Sequence, residues 1–226
     1  MKKLFVLIMA AGMCACTINI NGVGGDFNKN VRCGGDVVER ALDLSGFDSI
    51  EVLGSADAEF IQGETFRVVV KANEDVFDYL DYTVEDGILK LATVNNVNII
   101  AKENSVTITA PVLKGVTVKG AADLDMEKYA SAEDLAIEIM GAGDIDIEDV
   151  AVPVLSIDVR GAGDVDATDL NVEELKISVA GAGDVHLSGK AGKASLSVSG
   201  AGDIDARGLE CDNISTSKNG FASIRR

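Results

Sequence analysis

Short alternating runs of apolar and polar residues recur along most of the chain, and each run ends at a glycine. The runs read SIEVLG, GVTVKG, AIEIMG, SIDVRG, KISVAG and SLSVSG. Successive side chains of a strand point to opposite faces, so this alternation predicts strands with one apolar face. In the run that begins at Ser156, the apolar phase continues from Val159 through Gly161 and Gly163 to Val165. The strand pattern therefore passes through the glycines without changing face.

A segment of glycines and aspartates follows each run and returns at an interval of about 20 residues. Close copies begin at Gly141, Gly161, Gly181 and Gly200, and looser copies begin at Gly54 and Gly120. Two glycines inside a continuous strand pattern indicate a sharp bend, or a close approach of backbones that a Cβ would block. A chain that bends at the same place in every repeat is typical of a parallel β-solenoid, whose rungs lie about 4.8 Å apart.

We therefore predict an all-β fold, a right-handed parallel β-solenoid of GAGD rungs with an N-terminal strand and hairpin elaboration. The handedness rests on the general preference for right-handed parallel connections and on resemblance to a known family, because periodicity does not reveal it. Small β-branched residues must fill the interior, since 47% of the residues are hydrophobic but only 4% are aromatic.

The long interval between Gly54 and Gly120 is interpreted as an elaboration rather than as a rung. FRVVVKA and YTVEDGILKLATV predict strands, and Asp86-Gly87 in the second predicts a two-residue hairpin turn. NEDVFDYLDY between them suits a short helical turn, and NVNIIAKENSVTITAP predicts another strand pair. The array is expected to resume at Val116.

The last repeat departs from the others. GFASIR follows the register of GAGDID from Gly220, with Ser223 and Arg225 in place of the two aspartates. Terminal repeats of solenoids are atypical because they must cover the core and block edge pairing. We interpret this segment as a degenerate capping rung, and a shortened gene is the alternative.

The first residues carry the pattern of a secretory signal. Two lysines precede an apolar run that is too short to span a bilayer, and small residues and cysteines follow. The layout resembles a bacterial lipoprotein signal, in which a small residue precedes a lipid-modified cysteine. Cys16 follows Ala15, whereas Cys14 follows the bulky Met13, so Cys16 is the predicted lipidation site. Ordinary signal cleavage is the alternative.

Three regions are predicted in consequence. Residues 1–16 form a lipoprotein-type signal peptide, residues 17–41 form a polar, glycine-rich tether, and residues 42–226 form a single solenoid domain. After lipidation of Cys16, only Cys33 and Cys211 would remain as thiols. They could pair in an oxidising compartment, but their spacing alone does not show that they meet.

The charge of the chain excludes some partners. Its formal net charge is -17 at pH 7, so nucleic acid and anionic membrane surfaces would repel it. Cations and basic surfaces remain compatible with this charge, and contact with a membrane is expected only through the lipid anchor.

The aspartates of the repeats are expected to form two outward columns. The first column consists of Asp123, Asp144, Asp164, Asp184 and Asp203, with Asp57 before it and Ser223 after it. The second column consists of Asp125, Asp146, Asp166, His186 and Asp205. Carboxylates about 4.8 Å apart repel each other by roughly 1 kcal/mol in water. Full solvation with backbone hydrogen bonds would relieve this repulsion, and calcium ions that bridge the first column are the alternative.

The pattern offers little for catalysis. His186 is the only histidine and is expected on the surface, and the chain contains no nucleophile elbow, HExxH or CxxC motif. The glycines lead into a strand and not a helix, which argues against a phosphate-binding loop. A carbohydrate-active enzyme that uses the stacked carboxylates is the alternative. It would need a positioned base, and Arg160 is predicted as the one basic residue beside the columns.

GFDSIEVLGSADAEF, YTVEDGILKL and the serial GAGD rungs together resemble a family that is common in Bacteroidetes and is described as putative auto-transporter adhesin, head GIN domain. The resemblance covers residues 42–224. It implies a β-helical fold and an exported, envelope-associated protein, and it offers no catalytic residues or cofactor. We therefore expect a non-catalytic, adhesin-like scaffold, an outer-membrane lipoprotein that faces the periplasm or the surface and binds an unidentified glycan or protein.

Overall fold

The computed structural model describes residues 29–226, which are mostly β-strand. The first strands are β1 (Asn30–Arg32), β2 (Val37–Leu42), β3 (Ser49–Val52), β4 (Asp57–Gln62), β5 (Arg67–Asn73), β6 (Leu80–Glu85), β7 (Ile88–Thr93), β8 (Asn98–Ile100) and β9 (Asn104–Ala110). The later strands are β10 (Gly115–Val118), β11 (Leu124–Ala130), β12 (Leu135–Ile139), β13 (Ile145–Val159), β14 (Val165–Gly181), β15 (Val185–Gly200), β16 (Asp203–Glu210), β17 (Ile214–Gly220) and β18 (Ser223–Arg225). Two short 3₁₀ helices are Glu74–Asp78 and Val94–Asn96.

The strands stack in parallel on either side of the glycine corner, which is the bend formed by the GAGD segments. The leading sheet contains the strands before the corner, in the spatial order β7, β3, β10, β12, the second parts of β13, β14 and β15, and β17. The following sheet contains the strands after it, in the order β9, β4, β11, the first parts of β13, β14 and β15, then β16 and β18. The predicted all-β parallel solenoid is confirmed, with about six turns.

The core consists of aliphatic columns that run from rung to rung. In the leading sheet Ile137, Ile157, Ile177 and Leu196 are paired in register, and each is at most 2% exposed. Burial of each such side chain contributes about 1.5–3 kcal/mol. Because every rung repeats the alternation, the apolar face of one rung is covered only when its neighbours stack on it.

The glycine corner brings backbones of neighbouring rungs into close contact. A Cβ at Gly161 would collide with the carbonyl oxygen of Gly141, and a Cβ at Gly163 would collide with that of Gly143. The same obstruction recurs at the equivalent glycines of the adjacent rungs. The predicted close approach of backbones is therefore confirmed, and the obstructing atoms belong to the preceding rung.

A second corner lies a few residues after the first. The sequence did not predict it, because no repeated glycine pattern marks it. Lys128, Asp149 and Asp169 have positive φ values of 55°, 56° and 52°, and Gly189 has a φ of 109°. These residues interrupt the long strands and turn them toward a short third segment, in which Tyr129 pairs with Val150. Aspartate tolerates this left-handed conformation better than most residues, so the corner could be built without glycine.

The long interval between Gly54 and Gly120 contains the predicted elaboration and also strands that join the parallel stack. The hairpin is present as β6 and β7 with positive φ at Asp86 and Gly87, and the short helix is present at Glu74–Asp78. However, β7 pairs in parallel with β3 and β9 pairs in parallel with β4, so they form a layer beneath the first rung. The interpretation that this interval holds no rung is therefore wrong. The antiparallel strands β5 and β6 border this layer.

The tether predicted over residues 17–41 is wrong from Asn30 onward. In β1, Val31 is only 3% exposed and pairs with Ile99 of β8. Strand β2 pairs in antiparallel fashion with β5. Both partners lie far away in sequence, which is why a local reading of this glycine-rich segment missed them. The predicted signal peptide, Cys16 and the rest of the proposed tether lie outside the described residues.

The last rung follows the register of the others but changes their inward residues. Gly220 pairs with Gly200, which confirms that this segment is a rung. Thr216 and Lys218 pair with the buried Leu196 and Val198, so polar residues stand where the core columns end. Inward-pointing charge at a sheet edge is a known means of discouraging further strand pairing.

Candidate functional site

The first column is a ladder of hydrogen bonds. The Oδ1 atom of Asp144 accepts a hydrogen bond from the backbone N–H of Asp164 at 3.1 Å, and Oδ1 of Asp164 accepts one from Asp184 at 2.9 Å. The same bond joins Asp123 to Asp144 at 3.1 Å and Asp184 to Asp203 at 2.9 Å. Each carboxylate thus satisfies a backbone donor of the next rung, which offsets part of the repulsion between the charges.

The ends of the first column agree with its expected extension. Asp203 pairs with Ser223, so the hydroxyl ends the column. Ala58 pairs with Leu124, which places Asp57 beside Asp123. Partial burial and the negative charge of Asp123 raise the pKa of Asp57 above its ordinary value.

The described residues hold no group of three or more histidine, cysteine, aspartate or glutamate side chains arranged to bind a metal ion. In the first column, one oxygen of Asp123, Asp144, Asp164 and Asp184 is already committed to a backbone N–H. These hydrogen bonds favour the solvated, backbone-bonded interpretation of the column. Calcium bridging at this column stays the untested alternative.

The second column runs next to the first on the outer face of the following sheet. Asp125, Asp146, Asp166, His186 and Asp205 pair in register across successive rungs. Two further charged residues extend the column: Glu59 pairs with Asp125 on one side, and Arg225 pairs with Asp205 on the other. His186 is exposed, as expected.

A concave surface lies over the N-terminal part of this column. This acidic groove has a volume of about 760 Å³. Its carboxylates come from successive rungs and are Glu59, Asp125, Glu127, Asp146, Glu148 and Asp166. The lining also includes Lys128 and the exposed side chain of Ile61, whereas its one aromatic residue, Phe60, is only 1% exposed.

Strand alternation explains why the groove is acidic. In β11, Asp125 and Glu127 alternate with the buried Leu124 and Met126, so both carboxylates point outward. Glu148 of β13 pairs with Glu127. Sequence reasoning identified the aspartates but missed Glu59, Glu127 and Glu148, although each follows the same two-residue period.

The charges of the groove are not fully compensated. Partial burial raises the pKa of Asp125, and the negative charges of Glu59 and Asp123 raise it further. Burial also raises the pKa of Asp146, followed by the charges of Asp166 and Asp125. Raised carboxyl pKa values mean that the ionised groove costs free energy, which a bound cation would offset.

The basic residues lie elsewhere than predicted. Arg160 forms ion pairs with Glu138 at 2.9 Å and Asp158 at 2.6 Å on the leading sheet, away from the groove. The prediction that Arg160 is the one basic residue beside the columns is wrong. Arg207 binds Asp205 and lowers the pKa of that carboxyl, and Arg225 contacts Asp203 at 3.3 Å.

Other predicted features can be placed as well. Cys33 follows β1 at the N-terminal layer, and its backbone N–H donates to the carbonyl of Ile100. Cys211 follows β16 near the last rung, so the two thiols lie at opposite ends of the stack and cannot bond to each other within one chain. In the part of the chain that the structure describes, no helix has the length and apolar character needed to cross a bilayer.

Comparison with known proteins agrees with this architecture. Residues 46–167 and 148–225 match the family described as putative auto-transporter adhesin, head GIN domain. A putative adhesin from Bacteroides fragilis has a similar structure, with a TM-score of 0.70 and 20% identity over 86% of this chain and 98% of that chain. No curated protein matches the sequence.

Two structures from Parabacteroides distasonis are similar too. A putative lipid binding protein has a TM-score of 0.78 and 23% identity over 87% of this chain and 99% of that chain. A putative adhesin has a TM-score of 0.55 and 14% identity over 87% of this chain and 99% of that chain. Likeness at such identities concerns the fold. The family match, by contrast, spans most of the described residues and confirms the resemblance, and the chain therefore belongs to the putative auto-transporter adhesin, head GIN domain family.

Proposed function

We propose that this protein is exported, anchored in the cell envelope by lipid on Cys16, and acts as a non-catalytic, adhesin-like binding protein. The acidic groove is its contact surface. Its partner is a protein or peptide segment rich in lysine and arginine. The observation that carries the proposal is the convergence of carboxylates from successive rungs on one concave surface, with raised pKa values at Asp125 and Asp146.

The regular spacing of the groove suits an extended cationic segment. Carboxylates repeat at about 4.8 Å across the rungs and at about 6.6 Å along each strand. Lysine and arginine side chains are long enough to reach neighbouring rungs from one bound backbone. Such contacts neutralise the repulsion between the carboxylates, and the net charge of -17 increases the rate of encounter with a basic partner.

The alternative is a carbohydrate-active enzyme, and Lys128 in the groove lining is the observation that favours it. An enzyme site would need clustered polar residues from a rung that departs from the repeat. The carboxylates instead follow the regular register, and Phe60 in the lining is too buried to stack on a sugar ring. These features support a binding surface over a catalytic one.

A binding screen tests the proposal. A chain of residues 17–226, which omits the lipidated Cys16, contains every described strand and would be presented to arrays of glycans and of peptides of matched length and differing charge. We expect retention on lysine- and arginine-rich peptides only, with loss of retention at high salt. Preferential retention on glycans, or cleavage of an acidic polysaccharide that Lys128→Met abolishes, would contradict the proposal.

The anchor has a separate test. Cells that express the full chain would be labelled with a palmitate analogue and fractionated. We expect the Cys16→Ser chain to lose the label and leave the membrane fraction, while Cys14→Ser keeps both properties. A Cys16→Ser chain that still carries lipid would refute the anchor without affecting the groove.

A further inference from the structure

We propose that the last rung of one copy docks into the acidic groove of a second copy. This inference rests on the proposed function, because it names a partner segment for the same groove. The segment is Ile214–Arg226, which we call the basic rung, and it comprises β17, β18 and the corner between them. It contains Lys218, Arg225 and Arg226 and no acidic residue, in a chain with a net charge of -17.

An exposed aromatic ring marks the basic rung as a contact surface. Phe221 is 97% exposed, the largest exposure among the exposed large hydrophobic side chains of the described chain. It occupies the corner position at which the preceding rungs carry alanine, as at Ala182 and Ala201. A solvent-exposed phenylalanine costs hydrophobic free energy that docking would recover. The groove offers an apolar contact in Ile61, which is 44% exposed.

The charges of the two surfaces are complementary along a single column. The second column begins with Glu59 and Asp125 inside the groove and ends with Arg225 in the basic rung. Arg225 contacts Asp203 at 3.3 Å, but its side chain remains 53% exposed, so the same residue can also contact a carboxylate of another copy. Lys218 and Arg226 are exposed as well.

The basic rung cannot reach the groove of its own chain. Both of its strands are held in the stack, β17 against β15 and β18 against β16. Asp166 is the groove carboxylate nearest to Arg225 in the column, and His186 and Asp205 separate the two, a distance of about 14 Å at 4.8 Å per rung. The contact is therefore possible only between copies.

Docking of this kind joins two different surfaces, so a docked pair of copies still presents one free groove and one free basic rung. Such a heterologous contact extends into open chains unless rotation closes a ring. The net negative charge of the two copies opposes association at low salt, whereas the ion pairs between the basic rung and the groove act only at short range. Association is therefore expected to be strongest near physiological ionic strength, where the Debye length is about 8 Å, and to weaken at about 0.5 M salt.

Sedimentation velocity of residues 17–226 over a concentration series tests the inference. The wild type is expected to show a mass that rises with concentration at about 0.15 M salt. Phe221→Ala with Arg226→Glu removes the exposed ring and reverses one charge of the basic rung. Asp125→Lys reverses one charge of the groove. Each variant alone is expected to associate about tenfold more weakly or worse, whereas Lys102→Glu, the same charge change as Arg226→Glu at an exposed site outside both surfaces, associates like the wild type.

Mixing the two variants gives the decisive result. The basic rung of the Asp125→Lys chain should enter the groove of the other variant, and because no further contact can form, the mixture should contain dimers and nothing larger. A wild type that stays monomeric, or variants that associate as well as the wild type, would overturn the inference. Circular dichroism and thermal unfolding confirm that each variant is folded.

A probe peptide separates this inference from the proposed function. If hexalysine binds the groove of a monomeric wild type, the proposed function stands and the self-docking fails. If the chain self-associates through the groove but does not bind hexalysine, self-docking stands and the broader preference for cationic segments fails. If hexalysine binds and dissociates the oligomers, both stand.

Discussion

At the scale of single residues, aspartate side chains have different roles in the two columns. In the first column the carboxylate is a backbone acceptor, as the bond from Asp184 to Asp164 shows. In the groove, Asp125 and Asp146 have raised pKa values because burial and like charges surround them. The first arrangement stabilises the stack, whereas the second reduces stability and forms the surface that we propose as the contact site for a cationic partner.

A pair of substitutions at Asp164 tests its structural role. Asn keeps the oxygen that accepts from Asp184 and removes a like charge, so Asp164→Asn should unfold within about 0.5 kcal/mol of the wild type. Asp164→Ala leaves that N–H without its acceptor and should lower the free energy of unfolding by about 1–2 kcal/mol. Urea unfolding measures both, and equal losses for the two variants would refute the hydrogen-bond account.

Calcium gives an independent test of the first column. If ions bridge its rungs, millimolar calcium at constant ionic strength should raise the unfolding midpoint relative to chelator. That rise should disappear when Asp144 and Asp164 are both replaced by Asn. Because their Oδ1 atoms already accept backbone hydrogen bonds, we expect no calcium-specific rise.

The pH dependence of stability follows from groups with shifted pKa values. Asp57, Asp125 and Asp146 have raised pKa values when folded, so between the unfolded and the folded pKa values the folded chain binds more protons than the unfolded chain. The ionised forms therefore destabilise the folded chain at pH 7, and this destabilisation is relieved as the pH falls through the raised pKa values toward the ordinary carboxyl value of about 4. Asp205 and Glu174 have lowered pKa values and lose their contribution below about pH 4.

Urea unfolding at a series of pH values measures this dependence. The free energy of unfolding should rise as the pH falls from 7 through the raised pKa values of these three groups, and should fall again below about pH 4. A chain with Asn at Asp57, Asp125 and Asp146 should lose the rise and keep the fall. A wild type whose stability declines steadily from pH 7 downward would contradict the assignment.

At the scale of elements, the glycine corner is the feature that defines each rung. A Cβ at Gly163 would collide with the backbone carbonyl of Gly143, and backbone on both sides has no room to move. Gly163→Ala should therefore cost about 3 kcal/mol or more, or prevent folding. Gly54→Ala is the matched control, because a Cβ there meets nothing within 4 Å. Similar thermal midpoints for the two variants would contradict the role of the corner.

Elements built from local repetition could be predicted, and those built from distant pairing could not. Two inward-phase glycines per repeat were enough to predict the rungs and the close backbone approach. The strand β2 was missed because its partner β5 lies beyond β3 and β4 in the chain, and no local periodicity marks the pair. The second corner was not predicted because Lys128, Asp149 and Asp169 adopt positive φ values, a conformation that is usually indicated by glycine.

At the scale of the whole molecule, the chain is an acidic rod with unlike ends. One end carries the acidic groove and the layer formed by β7 and β9, and the other carries the basic rung. The columns could be predicted from the repeat, but the concave surface could not, because its lining includes Lys128 of the second corner, which no glycine pattern marks. The proposed anchor at Cys16 precedes the groove end of the rod in sequence.

The most direct test of the groove as the contact surface compares two variants of equal charge. Asp125→Asn with Asp146→Asn alters the groove, and Asp164→Asn with Asp184→Asn alters the first column on the same face, outside the groove lining. Isothermal titration with the tightest cationic peptide from the array, at about 0.15 M salt, should show a Kd at least about tenfold weaker for the groove variant and within about twofold of the wild type for the column variant. Equal weakening in both variants would mean that the peptide responds to net charge alone, and it would contradict the groove as the specific contact surface.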